Sequence, residues 1–203
     1  RVLSKMSKKL GETMIIGLTG GIASGKTAVS DFLKKEGYLV VDADVLSREV
    51  VKKGSAGLAE IVQAFGREML EEDGSLNRKA LAARIFTDEE ARKTLDGITH
   101  PKIEALAKEK LSAKAKEDKA FFVVPLLFES GMDALCDEVW LVHASDEIRL
   151  ERLKIRDGID EDYAKNKIAS QMSEEERQKR ADKIIENTGD LLALKEKVKK
   201  MLK

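Results

Sequence analysis

The chain has 203 residues, enough to bury a sizeable core as one domain or as one core with inserted subdomains. Its 37 lysines and arginines balance 37 aspartates and glutamates, and aromatic residues make up only 4% of the sequence. These values argue against a nucleic-acid binder, which needs a basic excess to displace counterions and aromatic rings on which bases stack.

Cysteine and histidine are too scarce to support a disulfide framework or a metal site built from cysteine and histidine ligands. Cys136 is alone, so no intramolecular disulfide forms, which suits a reducing cytoplasm. It precedes an apolar strand and is predicted to be a small buried residue rather than a nucleophile. No apolar run approaches the length of a membrane span. Residues 1–13 are basic and polar, and we expect a disordered extension or a cloning remnant there, outside the fold.

The first predicted elements are a strand, a glycine loop and a helix. Residues 14–19 are short, apolar and partly β-branched, which predicts a buried strand. Residues 20–27 then fit G-x-x-x-x-G-K-[ST] at every fixed position. After them, Val29, Phe32 and Leu33 recur at helical spacing. Because the motif has both flanks that a phosphate-binding loop requires, the alternative of a glycine turn that merely caps a helix is disfavoured.

The residue types of this loop suit a nucleoside triphosphate. Glycines let backbone N–H groups turn inward around phosphate oxygens, and the N-terminus of the new helix points its positive dipole end at the same anion. Lys26 is placed to reach the β- and γ-phosphates, and the hydroxyl of Thr27 is a ligand for Mg²⁺. The residues predicted to bind the nucleotide are Gly21, Ile22, Ala23, Ser24, Gly25, Lys26 and Thr27.

Two carboxylates follow the second predicted strand, residues 38–41. Asp42 and Asp44 lie at its carboxyl end, the edge where ligands collect in open α/β sheets. They are candidates for a general base and for a Mg²⁺ ligand, although Asp42 is equally suited to cap the next helix. Arg48 lies four residues after Asp44 on the same helical face. It either orients that carboxylate and contacts a substrate anion or forms a surface ion pair.

Residues 45–119 are predicted to be mostly helical. Pro101 is expected to begin a new helix that continues to about residue 116. The block is too long for a simple connection between two strands. We therefore predict an inserted helical subdomain, which in a kinase is where an acceptor substrate would bind.

Two further strands are predicted at the start of residues 120–129 and at residues 138–143. Pro125 cannot donate to a β-ladder, so the third strand ends near it. Glu129 follows, as a site residue or as a surface carboxylate. In the fourth strand, Trp140 and His143 are predicted to have packing and strand-end roles rather than catalytic ones.

The next predicted helix, residues 145–158, carries three arginines on one face. Arg149, Arg152 and Arg156 stand at positions i, i+3 and i+7. A mobile lid commonly delivers such donors to a transferring phosphoryl group. The alternative is a solvated basic face paired with acidic neighbours, and for Arg149 both interpretations stay open. For Arg152 and Arg156 we favour the first interpretation, in which they supply donors to the transferring phosphoryl group.

The remaining pattern completes an α/β order. Residues 160–172 and 173–181 are predicted to form two polar helices, residues 181–187 a short fifth strand, and residues 191–202 a final helix. Asn187, at the end of the fifth strand, begins a loop that would lie within reach of an adenine. This alternation of strands and helices predicts a doubly wound parallel sheet.

Five segments together resemble the dephospho-coenzyme A kinases. They are residues 18–27, Asp42-Ala43-Asp44 with Arg48, His100-Pro101, Val-Pro-Leu-Leu-Phe-Glu at 124–129, and Ile-Ile-Glu-Asn at 184–187. They occur in the family's order from Met14 to near the C-terminus. Many kinases share the phosphate loop, whereas the combination is far more specific.

This resemblance implies transfer of the γ-phosphate of ATP to the ribose 3′-hydroxyl of dephospho-coenzyme A, with Mg²⁺, in the last step of coenzyme A synthesis. It implies a three-layer P-loop NTPase core with a five-stranded parallel sheet (about 14–44, 120–147 and 182–203), a helical substrate subdomain (about 45–119) and a lid (about 148–181). The family's general base falls on Asp44, and a family arginine near the phosphates matches Arg48. Many members have glycine at the position of Ala23. The site residues that we assign are, as catalytic residues, Lys26, Asp44, Arg48, Arg152 and Arg156; for the nucleotide, the loop residues and Asn187; and for the metal, Thr27 and Asp42.

Three other functions stay open at this point. The chain could be a nucleoside or small-metabolite kinase on the same core. It could be a nucleotide switch, although the nearest match to an Asn-Lys-x-Asp base reader, residues 187–190, lacks the lysine. It could also be a helical scaffold with an inert loop.

Overall fold

The computed structural model describes residues 13–112 and 118–203. The predicted extension at residues 1–13 lies outside the described residues except for Thr13, and so does the predicted helix end near residue 116. The chain divides into two compact units. One contains the residues up to Val41 together with Leu111–Lys203, and the other is Asp42–Lys110.

The first unit is built on a five-stranded parallel sheet, as predicted. Its strand order is β2-β3-β1-β4-β5. In this order β1, which precedes the glycine loop, is the central strand, paired on one side with β3 and on the other with β4. The strands are β1 (Met14–Thr19), β2 (Leu39–Asp42), β3 (Lys119–Val123), β4 (Glu138–His143) and β5 (Lys183–Glu186).

Helices connect these strands. Short 3₁₀ segments at Arg67–Met69 and Met132–Leu135 supplement them. In the described part of the chain the α-helices are α1 (Lys26–Lys35), α2 (Ala43–Glu49), α3 (Ala56–Phe65), α4 (Arg78–Phe86), α5 (Glu89–Leu111), α6 (Asp146–Asp157), α7 (Glu161–Ala169), α8 (Glu174–Arg180) and α9 (Leu191–Leu202). None of the helices in the described residues has both the length and the apolar character needed to cross a bilayer.

Apolar side chains of α1 and α9 pack against one face of the sheet. Phe121 lies in the middle of this core, edge-to-face with Tyr38 and with Trp140, at centroid separations of 5.5 Å for both pairs. Burial of these rings confirms that Trp140 is a packing residue. The core fixes where β1 ends and α1 begins, and therefore where the loop between them lies. Its buried members from the strands and the two helices are Ile16, Leu18, Val29, Phe32, Leu33, Tyr38, Phe121, Val123, Trp140, Val142, Ile185, Leu194, Val198 and Leu202.

Cys136 packs beside the central strand and is half-buried, so it is less buried than predicted. A Cβ added at Gly17 of β1 would lie 2.7 Å from its sulfur. The thiol therefore fills the space that this glycine leaves, which is a packing role.

The second unit contains helices α2 to α4 and most of α5. The prediction that Pro101 begins a helix is wrong, because Pro101 lies inside α5. Proline removes one backbone donor and crowds the carbonyl four residues earlier, which here belongs to Gly97. Lys102 Nζ donates to the carbonyl of Ile98, one residue further along, at 3.1 Å. α5 continues through the proline from Glu89 to Leu111.

Candidate active site

The glycine loop forms a turn between β1 and α1 in which two residues have a positive φ angle. Gly25, the N-cap of α1, has φ 98°, and Ala23 has φ 62°. The Ser24 N–H donates to the carbonyl of Gly21 at 3.1 Å, which closes the turn. Such a conformation points successive N–H groups toward one side and makes an anion-binding concavity. The positive φ of Ala23 also gives a physical reason why glycine would suit this position.

A cavity of about 750 Å³ opens in front of this turn. That volume lies within the range of about 300–1,000 Å³ that is typical of small-molecule sites. It is lined by residues 20–28 and by Pro125, Arg152, Ile155, Arg156 and Gln171. The predicted nucleotide-binding residues of the loop therefore all line one cavity.

Lys26 and Thr27 form the first turn of α1 at this cavity. Thr27 is exposed there, and an exposed hydroxyl beside a phosphate site is a fitting ligand for Mg²⁺. No acidic residue occupies the first turn of α1. The positive end of the helix dipole is thus not offset locally, which favours an anion in the cavity.

Asn187 lies beside the loop rather than among the residues that line the cavity. It is buried, and its Nδ2 donates to the carbonyl of Ser24 at 2.7 Å. A Cβ at Gly25 would collide with this same amide nitrogen. Asn187 therefore fixes the loop from behind, and its predicted contact with a nucleotide stays a prediction.

The lid arginines of α6 occupy different positions. Arg152 is half-buried and lines the cavity, with Nη1 3.4 Å from the carbonyl oxygens of Ala23 and Ser24. Arg156 lines the cavity at an exposed position and pairs with Asp157, at 2.7 Å between Nε and Oδ1. Hydrogen bonding from Arg156 lowers the pKa of Asp157 to about 2. Both predicted arginines thus reach the cavity, and Arg152 also contacts the loop itself.

Arg149, for which two interpretations were open, does not lie on a solvated face. The residue is 1% exposed, and its Nε donates to the carbonyl of Ile22 at 2.9 Å. Burial lowers the pKa of this guanidinium, while the carboxylates of Glu174 and Asp146 act in the opposite direction. Arg149 therefore supports the loop from behind and is not among the residues that line the cavity.

Sequence reasoning missed a polar cluster behind the loop. Gln171 Oε1 accepts the Ile22 N–H at 2.8 Å. Glu174 Oε2 accepts from the buried Arg177 at 2.9 Å, and Glu174 Oε1 lies 2.7 Å from Nδ1 of His143. These residues belong to α8, to the turn before it or to the end of β4, and no spacing in the sequence links them to a loop about 120–150 residues earlier. Glu129, an open candidate, accepts the Met172 N–H at 3.3 Å.

Asp42, Asp44 and Arg48 belong to the second compact unit. Asp42 ends β2, and its Oδ1 accepts the Asp44 N–H at 2.9 Å, which caps α2. One oxygen thus has the capping role that was considered for this residue, and the other can still coordinate a cation. Asp44 and Arg48 are both exposed on α2. Their catalytic roles stay predictions.

Comparison with known proteins identifies a family. A family model described as dephospho-CoA kinase matches residues 14–193. A dephospho-CoA kinase of Syntrophotalea carbinolica is 44% identical over 187 residues, covering 91% of this chain and 89% of the relative. One from Corynebacterium glutamicum is 44% identical over 189 residues, covering 92% and 97%.

Solved structures agree with this similarity. The dephospho-CoA kinase from Campylobacter jejuni is 30% identical with a TM-score of 0.63, covering 93% of this chain and 95% of the other. TT1252 from Thermus thermophilus is 34% identical with a TM-score of 0.79, covering 94% and 97%. A shikimate kinase from Bacteroides thetaiotaomicron, at 14% identity and TM-score 0.54 over 93% and 96%, shares the fold alone.

Proposed function

The chain belongs to the dephospho-CoA kinase family, and on this premise we infer that it transfers the γ-phosphate of ATP to the ribose 3′-hydroxyl of dephospho-coenzyme A. The products are coenzyme A and ADP, in the last step of coenzyme A synthesis. The observation that carries this conclusion is the family match over residues 14–193, which includes a complete phosphate loop.

On the donor side, the loop would bind the triphosphate through its backbone. Lys26 and the N–H groups at the start of α1 would hold the β- and γ-phosphate oxygens and stabilise the charge that develops during transfer. The exposed hydroxyl of Thr27 would hold Mg²⁺, with Asp42 as a second candidate ligand. Mg²⁺ held by these residues would neutralise part of the negative charge of the triphosphate.

On the acceptor side, Asp44 would accept the proton of the ribose hydroxyl. It is exposed, so it can meet a substrate without first breaking a buried contact. Arg48 would contact a phosphate or orient Asp44. Arg152 and Arg156, which line the cavity, would neutralise the equatorial oxygens of the transferred group. The 45–119 segment remains our proposed acceptor subdomain and 148–181 our proposed lid. Most of the acceleration would come from positioning and electrostatics.

A panel of acceptors tests this function. ADP release from ATP and Mg²⁺ is followed with dephospho-coenzyme A, with adenosine, with shikimate and with no acceptor. We expect release that depends on dephospho-coenzyme A, and a product heavier by one phosphate. Release with another acceptor instead would favour a metabolite kinase, and ATP binding without any acceptor-dependent turnover would favour a nucleotide switch.

A further inference from the structure

The turn between α7 and α8 contacts the phosphate loop through Gln171. Its Oε1 accepts the Ile22 N–H at 2.8 Å and also lies within reach of two guanidinium nitrogens, 3.4 Å from Arg149 Nη2 and 3.5 Å from Arg177 Nη2. One side-chain carbonyl thus faces one backbone and two cationic donors. The Ile22 contact joins residues 149 positions apart in the sequence.

Side chains from the α6–α8 region hold both polar backbone groups of Ile22. Gln171 accepts from its N–H, and Arg149 Nε donates to its carbonyl at 2.9 Å. Ile22 is the third residue of the motif and directly precedes Ala23, which has a positive φ angle. Fixing the peptide groups of Ile22 therefore fixes the direction in which the next N–H groups point.

The surroundings of this contact are charged, buried and closely packed. Arg149 and Arg177 are each 1% exposed, and Glu174 Oε2 bonds to both, at 3.4 and 2.9 Å. A Cβ at Gly21 would lie 2.5 Å from Arg149 Nη2, so the guanidinium packs directly against the loop backbone. Without the carbonyl of Gln171, the Ile22 N–H would lose its acceptor, and the two buried guanidiniums would share fewer acceptors.

We propose that Gln171 is a positioning residue for phosphoryl transfer, and that its Oε1 sets the shape of the phosphate loop by holding the Ile22 N–H. This inference rests on the proposed function, because the loop shape matters only if the loop binds ATP. Gln171 also lines the cavity. The rival account is that its Nε2 donates directly to the nucleotide, and two substitutions separate the accounts.

Gln171→Leu and Gln171→Glu distinguish acceptance of the Ile22 N–H from direct donation to the nucleotide. Leucine removes the acceptor at similar size, whereas glutamate keeps it and removes the donor. We expect Gln171→Leu to raise the KM for ATP and lower kcat/KM for ATP by about tenfold or more, with the KM for dephospho-coenzyme A unchanged. Gln171→Glu should restore both parameters to within about threefold of the wild type. The full-length protein is used throughout, and thermal unfolding checks that each variant is folded.

Gln178→Leu is the matched control, because Gln178 lies on α8 and contacts His143, with 3.3 Å between Nε2 and Nδ1, rather than the loop. It should keep the wild-type KM for ATP. If Gln171→Leu does not fold, Gln171→Asn withdraws the carbonyl by one methylene and should raise the KM for ATP in the same direction.

The proposal would be overturned if Gln171→Leu had the KM and kcat/KM for ATP of the wild type. The same holds for Gln171→Asn if it has to replace Gln171→Leu. Equal impairment in Gln171→Leu and Gln171→Glu would overturn it too, in favour of a direct donor contact. The wild-type protein separates this inference from the function on which it rests. If wild-type turnover depends on dephospho-coenzyme A and the variants behave as the wild type does, only the inference fails. A wild-type protein without acceptor-dependent turnover would instead contradict the function.

Discussion

The phosphate loop and the Asp42–Lys110 unit differ in how their polar groups are held. Around the loop, buried or half-buried side chains bond to backbone groups: Asn187 to Ser24, and Gln171 and Arg149 to Ile22. In the Asp42–Lys110 unit, polar contacts such as Lys93–Glu90 and Lys108–Glu104 join side chains that are about half or more exposed. The loop is therefore fixed by several partners at once, whereas exposed ion pairs fix little.

This difference suits the two halves of a phosphoryl transfer. The donor phosphates are the same in every turnover and can be bound by a rigid backbone. An acceptor hydroxyl must be brought to them by groups that can still move, and Asp44 and Arg48 are exposed side chains on a short helix. Substitutions on the two sides should therefore differ in kind as well as in size.

Lys26→Ala should have the largest effect on activity. It removes a cation from the cavity in which the triphosphate would bind, so turnover should fall by at least about a hundredfold while the fold persists. ATP affinity should fall as well. Steady-state kinetics together with a calorimetric ATP titration measures the two effects. Unchanged ATP affinity and unchanged turnover would contradict the assignment of this loop as the donor site.

Asp44→Asn should lower turnover by at least about a hundredfold, but without a loss of ATP affinity. The amide keeps the size of the side chain and removes its capacity to accept a proton. The same two measurements apply, and Lys26→Ala is the natural comparison because it should change both quantities. Near-normal turnover in Asp44→Asn would show that the general base is another residue.

The sequence predicted the phosphate loop itself better than the side chains that support it. A phosphate loop is formed by contiguous backbone, so its whole motif can be read from residues 20–27. Strands β1 and β4 also have the predicted bounds of 14–19 and 138–143. Gln171, Glu174 and Arg177 support that loop from far along the chain, and only folding brings them together. Sequence spacing carries no signal for such contacts.

The error at Pro101 has a local cause. Proline is common at the first turn of a helix, which suggested a boundary there. However, α5 runs without a break from Glu89 to Leu111, with Pro101 inside it. For Asn187 the strand end was predicted, but its contact with Ser24 depends on how β5 lies beside the loop. Long-range packing thus decides the partner of this strand-end side chain.

Glu174→Gln tests whether the buried polar cluster contributes more to stability than an exposed ion pair does. Glu174 compensates two buried guanidiniums, so the neutral variant should lower the free energy of unfolding by about 3 kcal/mol. The matched change in the other unit is Glu104→Gln, which breaks an exposed pair with Lys108 and should cost less than about 0.5 kcal/mol. Urea denaturation of both variants measures the difference. Equal costs would mean that the buried cluster is no more important to the fold than a surface pair.

The smallest expected difference is the difference in ATP affinity between Gly25→Ala and Gly54→Ala. Both glycines have a positive φ, 98° and 80°, so alanine adds a similar backbone cost of about 1 kcal/mol at either position. At Gly54 nothing lies within 4 Å of the new Cβ, whereas at Gly25 it would meet Asn187. Gly25→Ala should therefore also weaken ATP binding by about tenfold, and Gly54→Ala should leave it unchanged. Equal ATP affinities in the two folded variants would show that the Asn187 contact does not shape the loop.

We propose that the protein transfers a phosphate from the nucleotide bound at the fixed loop to one hydroxyl of dephospho-coenzyme A. Phosphorus NMR of the product formed from ATP, Mg²⁺ and dephospho-coenzyme A tests it most directly. The account predicts a single new phosphomonoester on the ribose 3′-oxygen, formed in equal amount to ADP. A phosphate on another hydroxyl, or inorganic phosphate in place of a phosphorylated acceptor, would contradict it.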